Sequence, residues 1–139
     1  MKFFHGVFLA TILAAIPAAG TQAQELDKSE GRDLFMTYCW QCHGLDATGD
    51  GPMAEMLAIP TPDLTALAAR NGGSFPVVAV ATKIDGRSPM LAHGGDMPLF
   101  GPVLASDQNV ALVTPDGQRM MTGLPLANVI AYLASIQGN

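Results

Sequence analysis

The sequence predicts a single all-α domain, built from about four short helices and long loops wrapped around a buried group. Three observations carry that expectation. Leu126, Val129, Ile130, Leu133 and Ile136 or Gln137 recur at the three-and-four spacing of an amphipathic helix. Helix start and stop residues bracket two further stretches, residues 26–38 and 62–70. The segments between are rich in Gly and Pro, and loops this long hold one shape in a compact domain only when something else organises them.

In chain order, the first helix is expected over residues 26–38, with Leu26, Phe35, Met36 and Tyr38 as a partial apolar face and Ser29 as its start. A loop follows over residues 44–60, where Gly49-Asp50-Gly51-Pro52 signals a turn because glycine accepts positive φ and proline fixes its own. The second helix is expected over residues 62–70, with Thr61 as N-cap, Pro62 at the first helical position, Asp63 in the first turn and Asn71-Gly72 at the stop. Residues 74–85 read two ways: Val77-Val78-Ala79-Val80 favours a strand, while Ser74 followed by Pro76 is an equally good helix start. Residues 86–123 are rich in turn formers, with one small hairpin where residues 110–114 and 118–121 flank Pro115-Asp116-Gly117. The last helix ends at Gly138.

The 139 residues, 49% of them hydrophobic, suit one core. Residues 1–23 read as a secretory signal peptide: Lys2 supplies the positive end, the apolar run at residues 7–19 is too short to span a bilayer, and Thr21 and Ala23 fit a peptidase pocket. Cleavage after Ala23 leaves residues 24–139 as the mature domain. That domain holds six Lys plus Arg against twelve Asp plus Glu, a formal charge of −6. Without clustered basic residues it has no footprint for nucleic acid. An acidic surface is steered instead toward a positively charged partner, and salt weakens that attraction.

Chemistry is concentrated in Cys39-Trp40-Gln41-Cys42-His43, which matches the attachment signature for c-type haem. Residues three apart on a helical turn share a face, so both thiols reach the two vinyl groups on one porphyrin edge, and the next residue sits under the ring. His43 is then placed to ligate the iron through one nitrogen while the other donates to a backbone carbonyl, from Pro60 or Pro62. Three other uses of the cysteines fit less well. A redox dithiol would follow a strand and open a helix, whereas here a helix precedes the pair. A zinc site would have only Cys39, Cys42, His43 and His93 in the mature chain, without a second spaced pair. A structural disulfide closing so short a loop would stabilise little.

These residues resemble those of class I c-type cytochromes, of the small bacterial periplasmic single-haem type. The likeness runs from Gly31 and Phe35, through Cys39 to His43 with Gly44, to Pro60-Thr61-Pro62-Asp63-Leu64-Thr65, His93-Gly94-Gly95-Asp96-Met97-Pro98 and the closing Ile130-Ala131-Tyr132-Leu133-Ala134-Ser135-Ile136-Gln137. The resemblance implies a cytochrome c fold around one covalent haem c with its iron, and a close crossing of the first and last helices at Gly31. It also implies a methionine as second axial ligand, and Met97, followed by Pro98, fits the family's Met-Pro pattern. Met90 is preceded rather than followed by proline, and His93 would give a haem with two histidine ligands; both stay open. Met36, Met120 and Met121 are read as core filler. Phe35, Trp40, Leu45, Leu64, Leu99 and Phe100 are expected to line the haem.

A haem with both axial positions filled by protein implies one-electron transfer rather than catalysis. The expected function is a periplasmic electron carrier with His43 and Met97 ligation, meeting redox protein partners through a weak contact on a positively charged docking face. A dedicated haem subunit of a periplasmic dehydrogenase or oxidase is the alternative. A ligand-binding haem sensor or enzyme, with a labile Met97 bond, is a third.

Overall fold

The computed structural model describes residues 25–86, 97–114 and 116–138. The expected signal peptide, Met90, His93 and Pro115 lie outside them. Among the described residues the chain is mostly helical: α1 Lys28–Tyr38, α2 Trp40–His43, α3 Leu67–Arg70, α4 Val77–Asp85 and α5 Leu124–Ser135, with 3-10 turns at Ala54–Met56 and Leu64–Ala66. The hairpin pairs β1 Asn109–Val113 with β2 Arg119–Gly123, antiparallel, in the register Leu112 to Met120 and Val110 to Thr122. It is slightly longer than expected and is the one sheet that accompanies the all-α frame among these residues. None of the described helices is long and apolar enough to cross a membrane.

α1 begins one residue before Ser29, and its cap is Asp27. The Asp27 carboxylate accepts from the Ser29 amide at 2.8 Å and the Glu30 amide at 3.2 Å, which satisfies two of the donors that a helix start leaves free. Ser29 lies inside the helix, and its hydroxyl donates to that carboxylate. α1 packs chiefly on α5, and the core lies between them: Phe35 is fully buried against Leu126, Val129, Ile130 and Leu133, with its ring 5.5 Å from that of Tyr132. Gly31 lies at this crossing as the resemblance implied. A Cβ there would stand 2.0 Å from the Asn128 carbonyl oxygen, so only glycine lets the two backbones meet.

Asn128 was not singled out in the sequence, yet it is buried at the same crossing. Its Oδ1 accepts from the Asp27 amide at 2.9 Å and its Nδ2 donates to Glu30 at 2.7 Å, so the start of α1 is tied to α5 by a fully paired polar group.

Residues 77–85 form a helix, which resolves the ambiguity in the sequence. Val77, Val80, Ala81 and Ile84 turn one apolar face to the core at spacings of three, one and three, and that burial outweighs the β-branched content. The second helix expected over residues 62–70 is corrected in two ways. It is a 3-10 turn running into the short α3, and it starts two residues later, because Asp63 rather than Thr61 caps it by accepting from the Thr65 amide at 2.8 Å. Thr61 and Pro62 remain outside the helix.

Candidate functional site

α1 ends as the Cys39 amide donates to the Phe35 carbonyl at 2.8 Å, and Cys39 then caps α2. α2 closes at Gly44, whose φ of +81° suits glycine and whose amide returns to the Trp40 carbonyl at 2.8 Å. Within this one turn the Cys42 and His43 amides both donate to the Cys39 carbonyl, at 3.2 and 3.0 Å. The structure therefore brings Cys39, Cys42 and His43 together within a single helical turn and its cap, directly after the helix that anchors the core.

The loop after the motif is pinned against it by backbone bonds: Gly49 to the His43 carbonyl at 2.8 Å, Gly51 to that of Cys42 at 3.1 Å and Met53 to that of Gln41 at 2.8 Å. The loop continues into the segment that meets His43. Its ring is buried, and Nδ1 lies 3.4 Å from the Pro62 carbonyl oxygen. Of the two carbonyls weighed in the sequence, Pro62 is therefore the partner. A carbonyl accepts only from a protonated nitrogen, so the contact sets the proton on Nδ1 and leaves the Nε2 lone pair for a metal. Burial pushes the His43 pKa below its ordinary value of 6.5, against a smaller upward pull from the Pro62 carbonyl, which keeps the ring neutral and able to ligate.

Cys39 and Cys42 are not joined to each other. Burial, and secondarily the charge of Cys42, pushes the Cys39 thiol up to about 11. A redox dithiol works the other way, with its nucleophilic thiol lowered. No three His, Cys, Asp or Glu side chains among the described residues converge on a common metal position; His93, the fourth group weighed for zinc, lies outside them. What the turn offers is two adjacent unpaired thiols and one neutral, oriented imidazole. That donor set suits a porphyrin tethered by thioethers, with nitrogen on its iron.

Met97 is half-buried and packs against the same core as Trp40, Leu64 and Phe100. Met36 and Met120 also pack on the core, in keeping with filler, whereas Met121, Met53 and Met56 are exposed. For Met121 that corrects the reading as core, because it lies on the outward face of β2 while Thr122 turns inward. Phe35 is buried, and Trp40, Leu64 and Phe100 are half-buried. Leu45 and Leu99 are 61% and 50% exposed.

Two residues whose roles the sequence did not reveal tie segments distant in the chain to one another. Asn128 holds the crossing that carries α1 into the motif. Gln137 donates to the Leu64 carbonyl at 2.8 Å and accepts from the Ala68 amide at 2.8 Å, which links the chain's end to the turn behind Pro62. Gln137 closes the motif Ile130 to Gln137 quoted for the resemblance, but nothing in its spacing foretold its partners.

No curated protein and no solved structure gave a significant match. The family model for cytochrome c matches residues 29–137, which contain all but the first residue of α1, the Cys39 to His43 turn, Met97 and α5. A match over most of the chain, on a mostly helical domain with this donor set, places the protein in the cytochrome c family, with covalently attached haem c and iron and a role in haem-based electron transfer.

Proposed function

We propose that this chain is an exported single-haem electron carrier, with the porphyrin joined to Cys39 and Cys42 and the iron held by His43 and Met97. The observation that carries the reading is the turn itself: unpaired thiols three residues apart, next to a buried imidazole whose Nδ1 already faces a backbone carbonyl. Haem bound there supplies a ferric–ferrous couple. Each residue then has a distinct task. Cys39 and Cys42 tether the group. His43 donates nitrogen, and the Pro62 carbonyl fixes the ring's orientation and strengthens it as a donor. Met97, followed by the rigid Pro98, is the soft donor that favours the ferrous state and raises the potential. Trp40, Leu64 and Phe100 keep water from the site. With His43 and Met97 both holding the iron, the protein would act as a carrier and not as a catalyst.

Location in the periplasm rests on the pattern of residues 1–23. A cationic partner is supported by the charge beside the motif: residues 33–69 contain Asp33, Asp46, Asp50, Glu55 and Asp63 and no Lys or Arg. The test is the visible spectrum of the exported protein, oxidised and reduced. A c-type spectrum with the far-red sulfur-to-iron band is expected, and the band should vanish in Met97→Ala and survive in Met90→Ala. A colourless protein from a host competent in haem attachment would overturn the reading. A c-type spectrum without the band would move the second ligand to His93 or leave that position open.

A further inference from the structure

We propose that Gln137 is a positioning residue for His43, acting through the segment that carries the Pro62 carbonyl; this rests on His43 being the haem ligand. At 3.4 Å the contact between Nδ1 and the Pro62 oxygen lies at the outer limit for a hydrogen bond. A displacement of a few tenths of an ångström therefore decides whether it forms. Whatever holds residues 62–65 in place governs the histidine.

Several groups hold that segment. The Leu64 amide donates to the Ala47 carbonyl at 2.8 Å, which sets the front of the turn against the loop that follows the motif. Arg70 donates to the Asp63 carbonyl. Behind the turn, Gln137 alone makes three bonds: Nε2 to the Leu64 carbonyl at 2.8 Å, Nε2 to the Leu133 carbonyl at 2.7 Å, and Oε1 from the Ala68 amide at 2.8 Å. The Gly138 amide adds a fourth tie, to the Thr65 carbonyl at 2.9 Å. One amide side chain thus spans α5, which forms the core, and the turn two residues beyond Pro62. Because its Nε2 protons serve both carbonyls at once, losing them breaks the side-chain link between the Leu64 and Leu133 carbonyls and leaves the Gly138 amide as the backbone tie on this side of the turn.

Loss of the Pro62 contact weakens His43 as a donor, which favours ferrous over ferric iron. The test compares haem-loaded wild type with Gln137→Met, Gln137→Glu and Asn128→Leu. Gln137→Met keeps the side chain's length without donors. Gln137→Glu keeps the acceptor for Ala68 and sets an oxygen against both carbonyls, so either variant serves if the other fails to fold. Asn128→Leu breaks buried bonds on α5 about two and a half turns away and reports general destabilisation. Both Gln137 variants should speed exchange of the His43 Nδ1 proton, read by nuclear magnetic resonance, by about tenfold, and shift the oxidised-to-reduced ratio about threefold toward reduced. Asn128→Leu should lower the melting temperature and move neither. Exchange at the wild-type rate in the Gln137 variants, or an equal change in Asn128→Leu, would overturn the proposal. Absence of a c-type spectrum would sink the haem assignment instead, and the nitrogen-bound proton would still decide the role of Gln137.

Discussion

Replacing Gly31 by alanine should destabilise the protein far more than its size suggests. The added methyl carbon would lie 2.0 Å from the Asn128 carbonyl oxygen, 2.5 Å from its carbon and 3.0 Å from the Tyr132 Cβ. Two of these are backbone atoms of α5, so no rotamer change relieves the clash. Restoring ordinary contact needs α1 and α5 to part by about 1.2 Å, a gap that forfeits roughly half of the dispersion well across the interface. Overpacking of this kind costs about 1–3 kcal/mol. The same movement strains the two bonds Asn128 makes to Asp27 and Glu30, about 1 kcal/mol each if lost. Alanine regains about 1 kcal/mol of helix propensity. With both bonds lost the net is a loss of about 2–4 kcal/mol, or a fall in melting temperature of roughly 10–20 °C. Thermal unfolding of the haem-loaded protein, followed by far-ultraviolet circular dichroism, measures it. Gly117→Ala is the comparison, since nothing lies within 4 Å of its Cβ position and only its φ of +82° opposes the change, at about 1 kcal/mol. A Gly31→Ala protein as stable as wild type would refute the close crossing.

Two further outcomes follow from the turn at residues 61–65. The Thr61 hydroxyl is buried without a hydrogen-bond partner among the described residues, so Thr61→Val should raise stability by about 1 kcal/mol in chemical denaturation, and a loss of that size would mean the hydroxyl is paired in the loaded protein. Asp63 accepts from the Thr65 hydroxyl and amide, which hold its carboxyl below the usual 3.8. A lowered folded-state value gives stability that is present above pH 3.8 and lost as pH falls through the folded value. The advantage of wild type over Asp63→Asn in melting temperature should therefore be constant near neutrality and close on acidification; a gap independent of pH would show that the ionised carboxylate contributes nothing.

Local chemistry made much of the protein legible in its sequence. The attachment turn is written in five consecutive residues, because two thiols and an imidazole at that spacing suit one purpose. The amphipathic run of α5 and the turn chemistry of Asp116-Gly117 likewise gave a helix and a hairpin nearly in place. Gly31 was legible only through resemblance, since a lone glycine in a helix does not say what approaches it.

Tertiary structure decided everything that depends on residues distant in the chain. Whether residues 77–85 were strand or helix turned on the face that α5 left open for Val77, Val80, Ala81 and Ile84, a choice that β-propensity could not make. The second helix began late because Asp63 caps it, which leaves Pro62 outside with its carbonyl against His43, nineteen residues earlier. Asn128 and Gln137 gained their meaning from partners 98 and 73 residues away, Glu30 and Leu64. Sequence determines which groups can ligate or donate; how strongly the imidazole does so depends on distances of tenths of an ångström, and those are set only when the two ends of the chain pack together.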